Sequence, residues 1–107
     1  MLYNKFMDTD QLLSHSRARF EHAAARRVLK EKYQAKMTFA HAGGMWCAGP
    51  ELINTLNCCP KDDAVILDLY ENPVRVVPIE LKYLAEQRWQ EQMTAWLIEH
   101  EEINQKR

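Results

Sequence analysis

Apolar residues recur at three- and four-residue steps through two long stretches of the chain and alternate only briefly between them. From Pro78 to Asn104, Leu81, Ala85, Trp89, Met93, Trp96, Leu97, His100 and Ile103 keep that spacing with no further Pro or Gly. The pattern predicts one amphipathic helix over 78–104, about 40 Å long at about 1.5 Å per residue. Pro78 suits its first position, where the missing N–H has no partner to lose. The second stretch, 8–41, carries a thinner stripe. Leu13, Phe20 and Ala24 mark its first half, and Leu29, Tyr33, Met37 and Ala40 its second, around the flat Ala23-Ala24-Ala25 patch. Asp8 with Gln11 has capping-box spacing and Met7 with Leu12 that of a hydrophobic staple. Gly43-Gly44 is predicted to close this helix, since glycine accepts the left-handed conformation found there. Residues 1–7 read as an extended arm.

Between the helices the period changes. Met45-Trp46-Cys47-Ala48 is a short apolar run, a strand or a buried loop. Residues 50–57 predict a short helix that buries Leu52, Ile53 and Leu56 and is stopped by Cys58-Cys59-Pro60. Ala64–Leu69 and Val74–Val77 are rich in β-formers and flank Tyr70-Glu71-Asn72-Pro73, which predicts a β-hairpin over 64–77, with Arg75 opposite an acid such as Asp68. A lone hairpin is marginal in water and needs a surface or another strand to lie on. The expected fold is one domain over 1–107, mainly α with a minor β part (α+β). Two long antiparallel helices form the body, closed at one end by the short helix and the hairpin. Along that body Arg17 and Arg19 are expected near Glu99, Glu101 and Glu102, and Arg26, Arg27 and Lys30 near Glu91 and Glu86.

Composition changes this picture little, with 47% hydrophobic and 27% charged residues. A net charge of −1 exerts no global pull on nucleic acid, membranes or acidic ligands. The charges are unevenly placed, however. From Asp8 to His41 seven Lys/Arg stand against four Asp/Glu, and from Ile79 to Asn104 two stand against six. One long helix is basic and the other acidic. Three cysteines, an odd number, behind a start too polar for an export signal point to reduced thiols and a cytoplasmic location. No run approaches the roughly eighteen apolar residues of a membrane span.

Candidate chemistry is sparse. His41, Cys47, Cys58 and Cys59 lie within nineteen residues and are of the types that bind zinc. Adjacent cysteines rarely share one tetrahedral ion, though, and no Cys-x-x-Cys pair begins a cage, so buried thiols are the plainer reading. Cys47 with His41 could be drawn as nucleophile and base, as any chain with three Cys and four His allows. Gly43-Gly44 lacks the Lys-Ser/Thr of a phosphate loop. Glu99, Glu101 and Glu102 read as a solvated helix face. No cofactor, metal or small-molecule substrate is expected. The basic surface of Arg26, Arg27 and Lys30 could meet phosphates. Trp46, after Gly-Gly, and Tyr70, on the hairpin loop, are the candidate anchors for a protein partner, because aromatic side chains dominate interface energies. Trp89 and Trp96, seven apart, fit a core. A second exposed strip, such as Ile98 with Tyr83 or Val28, would imply a homodimer or docking surface.

The order of a basic first helix, His41-Ala42-Gly43-Gly44-Met45-Trp46, Pro50-Glu51-Leu52-Ile53, Leu69-Tyr70-Glu71-Asn72-Pro73-Val74 and a tryptophan-bearing last helix resembles short uncharacterised proteins encoded by tailed phages. The likeness spans roughly residues 26–102 and rests on helix stops and turns. It implies an accessory, virion-associated or assembly protein in a bacterial host and brings no activity or site residue with it. The expectation is therefore a non-enzymatic protein that binds a protein partner or another copy of itself. The alternative is a nucleic-acid-associated protein using the basic helix.

Overall fold

A computed structural model describes residues 9–105, so the expected arm, the Asp8 cap and the Met7 staple lie outside the described residues. The elements run α1 (Thr9–Lys36), β1 (Thr38–His41), β2 (Gly44–Cys47), α2 (Pro50–Asn57), β3 (Ala64–Leu67), β4 (Pro73–Val76) and α3 (Pro78–Gln105). The mainly helical architecture is as expected, with two long helices packed together, a short helix and a β-hairpin. α2 and α3 keep the predicted bounds to within a residue.

The first helix is shorter than its sequence suggests. It stops at Lys36, and Thr38–His41 turns back on Gly44–Cys47 as an antiparallel hairpin, Phe39 opposite Trp46. Ala42 and Gly43 both adopt positive φ, 54° and 82°. Two such residues in succession make the turn whose twist matches a two-stranded hairpin. Gly43 thus shapes a strand reversal and not a helix end. Gly44 is where backbone and core meet closely: a Cβ there would lie 3.1 Å from both the Trp46 ring and the Val74 side chain.

The second hairpin pairs Val65 with Arg75 and Leu67 with Pro73. Arg75 therefore does not face Asp68. Its guanidinium donates to Asp63 at 2.6 Å, on the exposed side. Asp68 serves the turn instead. Its carboxylate accepts the N–H groups of Asn72 (2.9 Å) and Tyr70 (3.0 Å), and that of Met45 (3.2 Å) from the other hairpin. The Leu69 N–H donates to the Met45 carbonyl at 2.8 Å, so the two hairpins are joined where they meet.

The core sits in this head. Trp46, Leu56, Val76 and Leu81 form one buried cluster, and Met37, Ala48 and Ala85 a second, with Phe39 and Leu52 packed against both. Trp46, expected as a surface anchor, is 1% exposed, and its indole N–H donates to the His41 carbonyl at 2.8 Å. A side chain of that size, with its one polar atom satisfied, fills a core. The head covers the first half of α3 and leaves only the second half for α1.

Candidate interaction surface

Where α1 and α3 do meet, they form a stem with one well-defined seam. Tyr33 stacks on Trp96, ring centroids 6.1 Å apart and planes 7° from parallel. Lys32 donates to both oxygens of Glu99, at 2.8 and 3.1 Å. The ammonium groups of Lys32 and Lys36 each lie 5.2 Å from the Tyr33 ring centre. Arg88 donates to the Lys36 carbonyl at 3.4 Å and lies over Phe39. Burial, and then the Glu99 carboxylate, raise the Tyr33 hydroxyl above its ordinary pKa. Hydrogen bonding to Lys32 holds Glu99 below the usual carboxylate range, and the same bond raises Lys32.

This seam fixes a register far from the expected one. Glu99 meets Lys32 and not Arg17, a displacement of fifteen residues, or about 22 Å along a helix. The expected alignment assumed that α1 could run beside the whole of α3, and the head occupies half of it. In consequence α1 projects past the end of α3. Every residue from Thr9 to Glu21 is exposed.

The projecting half is not polar. Leu13 and Phe20, expected in the buried stripe, are 58% and 70% exposed, and Leu12 and Val28 are exposed as well. From Phe20 to Leu29 is nine residues, a rotation of about 180° at 3.6 residues per turn. Leu13, Phe20 and Ala24 therefore line the face opposite Leu29 and Tyr33, with Val28 at its edge. That phase break is visible in the sequence and marks a helix with two apolar faces. On α3 the same holds for residues beside the seam. Met93 and Leu97 are exposed, Leu97 at 55%, and with Trp96 and His100 they line a shallow apolar groove of about 260 Å³. Ile98, Tyr83 and Val28 are exposed too.

Charge follows the same division. Arg17, Arg26, Arg27 and Lys30 on α1 are exposed and form no ion pair with a described residue, as is true of Glu91, Glu101 and Glu102 on α3. In the head Tyr70 is exposed, as expected, and so are Val65 and Leu67 on β3 and Leu69 just past it.

The candidate metal and catalytic residues are scattered. His41 and Cys47 close opposite ends of the first hairpin, His41 beside Gly44 and Cys47 beside Thr38, about 10 Å apart at the strand rise. Cys58 and Cys59 lie past the end of α2, where the Cys59 thiol donates to the Thr55 carbonyl at 3.2 Å. Among the described residues no three His, Cys, Asp or Glu side chains are grouped to hold a metal ion. No helix among them is long and apolar enough to cross a membrane. No family model, no curated protein and no solved structure matches the chain.

Proposed function

We propose that this chain is a non-enzymatic protein-interaction module that docks through its helical stem. It would be an accessory, virion-associated or assembly protein of the kind that the likeness to short tailed-phage proteins implies. The observation that carries this reading is the apolar surface of the stem: Leu13, Phe20 and Val28 on α1 and Met93, Leu97 and Ile98 on α3 are left exposed by the described residues. Contiguous exposed apolar patches rimmed by charge are a mark of docking sites. Trp46 is buried and does not contribute, while Tyr70, Val65 and Leu67 are further exposed apolar side chains in the head.

The test is photo-crosslinking in cells, with benzoylphenylalanine placed at position 20, 97 or, as a control, 54 on α2. Protein adducts from 20 and 97 but not from 54 are expected. The absence of protein adducts from both stem positions refutes the reading. A second reading, binding to nucleic acid, is favoured by Arg26, Arg27 and Lys30, which are exposed and unpaired among the described residues. It requires affinity that falls steeply with salt and is lost in Arg26→Ala/Arg27→Ala. No binding at low salt eliminates it.

A further inference from the structure

We infer that the partner of the stem is a second copy of the same chain, docked about a twofold axis across the stem. The exposed α1 stripe of each copy lies in the Met93–Trp96–Leu97–His100 groove of the other. This inference rests on the interaction reading above and names its partner.

Surface area points the same way. The chain exposes 8092 Å², about 1,900 Å² more than a monomeric protein of its mass is expected to expose. Its radius of gyration is 21.3 Å and its extents 72 × 24 × 21 Å, where a compact chain of this length has a radius near 13 Å. A standard interface removes roughly 800 Å² from each partner. The surplus is therefore large enough for a stable dimer.

Symmetry and charge then select the arrangement. Within one chain α1 and α3 are antiparallel, so a twofold axis across the stem reverses the second copy. α1 of one copy then runs in the same direction as α3 of the other. With Phe20 set against Leu97, Leu13 falls near Gln90, within one turn of Met93. Arg26 and Arg27 fall within a turn of Glu101 and Glu102, and Arg17 within a turn of Glu91. These are basic and acidic groups that form no ion pair with a described residue of their own chain. The axis generates the contact twice, and in each case the length of α1 projecting past its own α3 receives a neighbour.

The test uses the whole chain in solution. Sedimentation equilibrium at tens of micromolar should give about twice the 12.6 kDa chain mass. Phe20→Asp or Leu97→Asp should each return it to one chain mass with helicity by circular dichroism retained. Benzoylphenylalanine at position 20 should yield a two-chain adduct whose crosslink maps to residues 90–102 of the other copy. A wild-type mass of one chain overturns the inference, as does a crosslink that maps to residues 1–8 of the same chain or to the head. Adducts in cells with a different protein, from a chain of single mass in solution, overturn self-docking while leaving the interaction reading standing. If neither a second copy nor another protein is captured, both fall.

Discussion

Asp68 shows how one side chain can hold two hairpins. The Asn72 N–H, and after it those of Met45 and Tyr70, hold its carboxyl below the usual range against the opposing effect of burial. A carboxyl with a lowered folded pKa stabilises the fold above its unfolded pKa of about 3.9 and loses that contribution as pH falls through the folded pKa. The melting temperature should therefore hold between neutral pH and about pH 5 and fall below about pH 4. Asp68→Asn should lower it at pH 7 and weaken the acid dependence, as differential scanning calorimetry can measure. Trp46 has a different weight. Its truncation leaves a cavity in the head and should cost about 3–5 kcal/mol in denaturant melts. Neither role is legible from the sequence. Asp68 reads as a strand acid opposite Arg75, whereas its partners come from its own turn and from residue 45 in the other hairpin. Trp46 after Gly-Gly reads as exposed only while Gly43 is taken for a helix end.

At the level of elements, α2, the second hairpin and α3 were legible because one local signal governs each. Pro starts both helices, Cys-Cys-Pro stops the short one, and β-branched runs flank an Asn-Pro loop. The end of α1 was not legible, because the same Gly43 fits a helix C-cap and a hairpin turn, and tertiary pairing of Phe39 with Trp46 decides between them. Gly43→Val should expose that decision. Its Cβ would meet nothing within 4 Å, so the cost is that of the left-handed backbone, about 1–2 kcal/mol. The loss should appear in the melting temperature while the helical circular dichroism signal is kept. The stem behaves differently again. Lys32 and Glu99 are both partly exposed, and exposed pairs are weak and screened by salt. Lys32→Ala should shift melting only slightly, and less still at high salt.

For the whole molecule, the helix register determines what the chain presents to its surroundings. The charge asymmetry between the long helices was legible, but its use was not. An alignment along their full length would have paired the charges internally and buried Phe20 and Leu97. The head takes the first half of α3, and the surplus helix projects with an apolar face on it. A segment of thirteen exposed residues (9–21) is a marginal helix in water on its own, so its order is the property most sensitive to docking. Amide hydrogen exchange over residues 12–22 measures it directly. The account predicts protection there in the native chain, lost in Leu97→Asp, a change on a different helix, while the amides of the head keep theirs. Protection over 12–22 that is the same in Leu97→Asp as in the native chain would contradict it.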